Sequence, residues 1–291
     1  MKLSILIPTY NYNARALVDS LLSLARAEEQ EVEIIIGDDG SATETGWFDE
    51  LPTSAFLKVF RAAENLGRSR IRNKLADEAT GQWLLFIDCD AVVTSVFSLR
   101  RYMEATAEAD VICGGIRHPE KLPYPGCELR WRYEREAERR FTPQRLNAQQ
   151  HVPFRTFSFL IQKDLFQEVR FDENIRNYGY EDVLFGKQLE RRGARILYID
   201  CPLLNGDIEP NDVFLAKTEE ALRTLVALQG SIADYIALER TVLRLQGCHL
   251  TRPLLACYRL TRPLLRRNLL SRHPLLSLFA FYKLGYYLNI K

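Results

Sequence analysis

The chain has 291 residues, 47% hydrophobic and 26% charged, with a formal net charge of +1. That composition is ordinary for a globular protein and leaves room for a sizeable core, in one large domain or a domain with an appendage. The near-neutral balance argues against a generally basic nucleic-acid binder, and six scattered cysteines without a C-x-x-C pair suggest neither a zinc site nor a disulfide framework. Reduced thiols are the simpler reading. The average charge hides an asymmetry: after Glu239 no acid remains, while Arg240, Arg244, Arg252, Arg259, Arg262 and further basic residues continue to Lys291. The apolar run after Met1-Lys2 is too short for a signal peptide, and the longest uncharged stretch near the end, "HPLLSLFAFY", is too short to cross a bilayer. A cytoplasmic location is expected.

In chain order, "KLSILI" reads as a strand ended by Pro8, "ARALVDSLLSLARA" as an amphipathic helix, and "EVEIIIG" and "FLKVFRA" as strands. "GRSRIRNKLADEA" follows as a helix, "QWLLFID" as the central strand, and "SVFSLRRYMEATAEA" as a helix leading into "DVICGG". This alternation of short apolar runs and helical patterns is the signature of βαβ units and a mostly parallel sheet. Beyond "GGIRHPEKLPYPG" the regularity breaks. "CELRWRYEREAERRF" reads as a charged, exposed helix, "FRTFSFLI" as a strand, "KDLFQEV" as a short helix, and "ARILYID" as the strand that closes the sheet. Between the last two, "FDENIRNYGYEDVLFGKQLERRG" is a loop feeding a helix that starts near Glu181. From Asn211 onward only helical patterning remains, with "LTRPLL" at Leu250 and again at Leu260.

Three polar clusters fall at strand ends: "PTYN" (Pro8 to Asn11), "DDGS" (Asp38 to Ser41) and "DCD" (Asp88 to Asp90). A parallel sheet gathers such ends at one edge, where ligands of open α/β folds bind. Any one cluster alone could be a turn or a helix cap. Asp88 and Asp90 are the most demanding, because two close carboxylates repel and lose solvation unless a cation or a set of donors sits between them. A cap needs only one acid, so capping does not account for both. Arg68, Arg70 and Arg72 read by themselves as a solvated helix face. Glu181 and Asp182 at a helix start complement the helix dipole, as acids in a first turn commonly do.

The motif set resembles the family 2 glycosyltransferases, inverting enzymes of the GT-A fold. The resemblance rests on "ILIPTYN", "IIIGDDGS", "NLGRSRIRN", "WLLFIDCDA" and "GYEDVLFGKQL" in that order, and it covers the chain to about Ile208. It implies a Rossmann-like α/β domain, a mostly parallel mixed sheet flanked by helices, over 1–210, with 211–291 as a basic helical appendage. It implies a nucleotide-sugar donor bound by Pro8, Thr9, Tyr10, Asn11, Asp38, Asp39, Asn65, Gly67, Arg72 and Asp88. Asp39 would accept the base imide hydrogen, which favours a UDP-sugar, with Thr9 and Tyr10 walling the base. Asp88-Cys89-Asp90 matches the family's D-x-D form, so Asp90 and Asp88 would hold a divalent metal, Mg2+ or Mn2+, with Asp90 the main ligand. Asp182 would be the general base and Glu181 a sugar-hydroxyl acceptor. One departure stands out: family members often carry a metal-ligating histidine after the last strand, but "CPLLNGDIEPN" has none, leaving Asn205, Asp207 or water for that place.

The implied partners are the donor, a glycan or lipid-linked glycan acceptor and, through the acid-free leucine- and arginine-rich tail, an anionic membrane surface at the inner face. A helical appendage packed on the domain explains the tail nearly as well. Nucleic acid has no support beyond the tail's charge. Other classes fit less. A nucleotidyltransferase wants a glycine-rich basic loop after the first strand, and "PTYNYNARA" is neither glycine-rich nor basic. A dinucleotide enzyme wants G-x-G-x-x-G, which follows no strand, and "GKQ" lacks the hydroxyl residue of a phosphate-binding loop. A degenerate transferase kept as a nucleotide-sugar sensor or assembly subunit would have little reason to retain both Asp90 and Asp182.

Overall fold

A computed structural model of the chain describes residues 2–52, 54 and 56–291. The elements in chain order begin with β1 (Leu3–Thr9), α1 (Arg15–Ala27), β2 (Val32–Asp38), β3 (Leu57–Arg61), α2 (Arg68–Glu78), β4 (Trp83–Ile87) and β5 (Ala91–Val92). Next come α3 (Leu99–Ala105), β6 (Val111–Cys113), β7 (Ile116–Arg117), α4 (Glu128–Arg140), α5 (Pro143–Asn147), β8 (Ser158–Gln162), α6 (Lys163–Val169) and α7 (Glu181–Arg191). β9 (Ile196–Tyr198) and β10 (Leu203–Asn205) are followed by the helices α8 (Asn211–Ala227), α9 (Ala237–Gly247), α10 (Thr251–Leu269) and α11 (Leu276–Ile290).

The main sheet has seven strands in the order β3-β2-β1-β4-β8-β6-β9. All neighbours are parallel except β8, which runs antiparallel to both β4 and β6. β2 and β4 are buried at every residue, as befits parallel strands covered on both faces by helices, whereas the edge strand β3 is largely exposed. Side chains alternate between two cores. Ile5, Ile34 and Leu85 join α1 and α3 on one face, and Leu6, Ile35 and Phe86 join α2, α6 and α7 on the other. The second face is aromatic: Phe171 stacks on Phe185 at 4.2 Å and Phe86 on Phe159 at 4.8 Å. Truncating one of these rings to alanine would cost about 3–5 kcal/mol.

The strand order is what positions a site. β2, β1 and β4 are adjacent, so the three polar clusters leave the same sheet edge side by side, with Thr9 in register with Asp38. A second, three-stranded sheet, β5-β10-β7, brings a fourth segment to that edge. Asn205 pairs with Ala91, and the Gly206 amide donates to the Asp90 carbonyl at 2.8 Å.

A third core belongs to the C-terminal helices but recruits Leu129 of α4 and Val183 of α7. α4 therefore departs from the exposed helix expected of its charged sequence: Glu128 and Leu129 are buried, and Asn211 at the start of α8 accepts the Leu129 amide. Its charges mask the buried stripe because several are paired inside the protein. Among the described residues no helix is long and apolar enough to cross a membrane.

Candidate active site

A cleft of about 810 Å³ opens at the carboxyl ends of β1, β2 and β4. Of the residues singled out from the sequence, Pro8, Thr9, Tyr10, Asp39, Asn65 and Gly67 line it, and so do Arg72, Asp88, Asp90, Glu181 and Asp182. Asn11 and Asp38 are not among the lining residues. The Asn11 amide donates to Ser41 Oγ at 2.7 Å, and its side-chain oxygen accepts the Ala42 and Thr43 amides. Asp38 accepts the Ser41 amide at 3.1 Å and meets Arg61 at 3.4 Å. In this geometry the two residues fold the "DDGS" turn rather than face the cavity.

Asp39 is buried with both oxygens aimed at the next loop, accepting the Leu66 amide at 2.7 Å and the Gly67 amide at 3.1 Å. Burial raises its pKa while these two amides pull the other way. The turn before it depends on Gly40, whose φ is +70° and whose missing Cβ would stand 2.4 Å from the Glu64 carbonyl carbon.

Arg72 Nη2 donates to Asp88 Oδ1 at 2.8 Å from a nearly inaccessible position, and its guanidinium lies over the Phe171 ring at 5.6 Å. It is no solvated helix face. Asp90 forms no ion pair among the described residues. Its pKa is pushed up to about 7, first by burial and then by the neighbouring charge of Asp88, with Arg130 opposing and Asp207 adding. Tyr12 next to it is pushed up to about 12 by burial and then by Asp90, Cys89 and Asp207. Asp207, two residues beyond β10, also lines the cleft, while the Asn205 side chain is buried and accepts the Asp207 amide at 3.0 Å.

In the same cleft Gly179 and Tyr180 take consecutive positive φ values, +102° and +68°, and deliver Glu181 and Asp182 as the first turn of α7. The Asp182 carboxylate accepts the Val183 amide at 2.7 Å. Burial and then the adjacent Glu181 raise its pKa to about 7, against weaker pulls from Val183, Arg155 and Arg72. Glu181 is buried with one carboxylate oxygen unpartnered.

The sequence reading missed part of the lining. Arg130 of α4 and Lys217 of α8 both pair with Glu209, and Arg155 and Tyr178 also face the cavity. No local signal marks them; Arg130, for one, meets Glu209 from 79 residues away. Nine carboxylates and six cationic side chains line the cleft, a surplus of negative charge suited to a ligand that arrives with a metal ion. Among the described residues no three His, Cys, Asp or Glu side chains form a ready metal cage. Asp90 with Asp207 nearby offers the hard oxygen donors that Mg2+ or Mn2+ prefers, and such ions commonly complete their shell with water and phosphate.

The sequence profile of Glycosyl transferase family 2 matches residues 4–170. The glycosyltransferase YfnE of Bacillus subtilis (strain 168) is 35% identical over 117 residues, 39% of this chain and 30% of its own length. The chain spans between 30% and 58% of the length of the curated relatives it matches. Among solved structures, mannosyltransferase PcManGT from Pyrobaculum calidifontis, in complex with GDP-Man and Mn2+, superposes with a TM-score of 0.57 at 13% identity, covering 99% of this chain and 84% of the other. GalNAc-T7 with UDP, GalNAc and Mn2+ gives 0.52 at 18% identity, covering 70% and 43%. The fold is GT-A. With the family profile spanning more than half of its length, the chain belongs to glycosyl transferase family 2.

Proposed function

We propose that the protein moves a sugar from a nucleotide-sugar donor, a UDP-sugar, to a hydroxyl of a glycan or lipid-linked glycan with inversion at the anomeric carbon. One observation carries the reading: Asp39, Asp90 and Asp182, far apart in sequence, line a single cleft large enough for a sugar nucleotide. Asp39 and the walls at Thr9 and Tyr10 would hold the base. A divalent cation at Asp90, with Asp207 beside it, would neutralise the diphosphate as it departs. Arg72, held by Asp88, supplies a fixed positive charge nearby.

Asp182 would take the proton from the acceptor hydroxyl while the hydroxyl oxygen forms its bond to the anomeric carbon. The bond from that carbon to the diphosphate oxygen breaks on the opposite side, and the nucleoside diphosphate leaves with the electron pair. A carboxyl group whose pKa is raised to about 7 is a stronger base than an exposed aspartate and is still ionised in part at neutral pH. Glu181 would accept a sugar hydroxyl. Residues 1–210 form the donor-binding unit in this reading and 211–291 the helical region.

The C-terminal region supports a seat on an anionic membrane. Along α10, Pro253, Cys257, Leu260 and Leu264 recur at helical spacing on the outer side, Leu260 being 83% and Leu264 67% exposed, while Tyr258, Leu265 and Leu269 point inward. Arg252 and Arg259 are exposed beside that stripe. Leucine in the acyl boundary with arginine among phosphates is the pattern of an interfacial helix.

A thermal-shift panel of nucleotide sugars with manganese, followed by a transfer assay with the best donor, tests the reading. A UDP-sugar that stabilises and is turned over supports it. Stabilisation by none of the donors would sink it.

A further inference from the structure

The left-handed turn that presents Glu181 and Asp182 is not held by its own strand or helix. Tyr180 in this conformation is costly for a residue with a side chain, so neighbouring structure must fix it. The neighbour is α8. The Tyr178 amide donates to Glu220 Oε1 at 2.9 Å, and Thr224 Oγ1 donates to the Tyr178 carbonyl at 2.9 Å, closer than the 3.3 Å to its own helix carbonyl at Glu220. Between them Ala221 abuts Gly179 so tightly that a Cβ there would lie 2.7 Å from the alanine methyl. Lys217, one turn earlier, lies 5.5 Å from the Tyr178 ring, whose other cationic neighbour is Arg68 at 4.7 Å. Residues 217, 220, 221 and 224 share one helical face. Both polar groups of the Tyr178 backbone are thereby satisfied by side chains of the C-terminal region, and the next two residues have little freedom.

We infer that α8 is the jig for the general base, with Glu220 and Thr224 as positioning residues that set where the Asp182 carboxylate stands relative to the acceptor. The inference rests on the proposal that Asp182 is the base. It goes further in making the C-terminal helices part of the catalytic apparatus. Misplacing a reacting group by a fraction of an ångström to an ångström is expensive in rate while leaving a distant nucleotide site alone.

The test uses the full chain with its donor, manganese and acceptor. Thr224→Val keeps shape but removes the hydroxyl donor, Thr224→Ser restores it, and Glu220→Ala removes the other hold. The expected result is a kcat lower by about 10- to 100-fold for Thr224→Val and Glu220→Ala, donor Kd within about twofold of wild type by calorimetry, and recovery in Thr224→Ser. Equal loss of kcat, donor affinity and thermal midpoint in both variants would mean a merely structural role and overturn the inference. So would unchanged kcat in both while Asp182→Asn is inactive. If Asp182→Asn still turns over, the base assignment itself fails, and the jig with it.

Discussion

Arg72 and Asp88 stand 2.8 Å apart with the arginine side chain only 3% exposed, so one of the two acids at the end of β4 is already charge-paired inside the protein. The other, Asp90, meets no such partner and carries a raised pKa of about 7. The pair is asymmetric: Asp88 is fixed by Arg72, and Asp90 has no ion-pair partner among the described residues, as the proposed metal ligand requires. Replacing Asp90 with alanine should abolish the gain in nucleotide affinity that manganese brings. Calorimetry with manganese and with EDTA reads this directly, and a variant whose affinity still rises with metal would contradict the assignment.

In the proposed reaction Asp182 acts on the acceptor hydroxyl and not on the nucleotide. Asp182→Asn should therefore cost on the order of 10²–10⁴-fold in kcat, the usual worth of a general base. Donor Kd should stay within about twofold. A turnover assay beside a donor titration checks both.

With Asp182 as the proposed base, its raised pKa should make activity fall on the acid side. With a value of about 7, only about a tenth of the base is ionised at pH 6, and kcat/KM should drop roughly tenfold per pH unit below that. Stability moves the other way. A carboxyl group whose folded pKa exceeds its unfolded one holds its proton better when folded, so its contribution declines as pH rises from about 4 to 7. Glu33 has the opposite sign. Although burial raises it, hydrogen bonds from Ser4, Thr80 and Lys58 hold it at about 2, so its contribution is present above the unfolded value and is lost as pH falls towards 2. These two groups together predict that the ligand-free protein melts at higher temperature near pH 5 than at pH 7 or pH 3, as thermal scans would show.

Gly40→Ala should destabilise the protein by about 1–3 kcal/mol, because φ of +70° and a Cβ 2.4 Å from the Glu64 backbone leave no room for a methyl group. The shift would reach Leu66 and Gly67 through Asp39, so donor affinity should fall as well. Denaturant titration and calorimetry measure the two effects.

Leu260→Glu with Leu264→Glu should release the protein from phosphatidylserine-containing vesicles without changing turnover of a water-soluble acceptor, since both side chains are exposed on α10. Equal co-sedimentation of variant and wild type would remove the membrane reading.

What the sequence determined by itself is the local frame. β2 and β4 are continuous apolar runs, α7 starts at Glu181 as its pattern requires, and the polar clusters end β1, β2 and β4. Burial on both faces leaves a continuous apolar run that one chain displays. Tertiary structure alone decided which charges meet. β10 pairs with β5, and Asp207 just beyond it adds its charge to that felt by Asp90, while Glu209 takes Arg130 and Lys217 from helices on either side. It also turned an apparent tail into the wall that grips Tyr178. A carboxylate or an arginine looks the same in sequence whether solvated or buried, because its energy is set by the partner that topology brings, and that partner has no local trace.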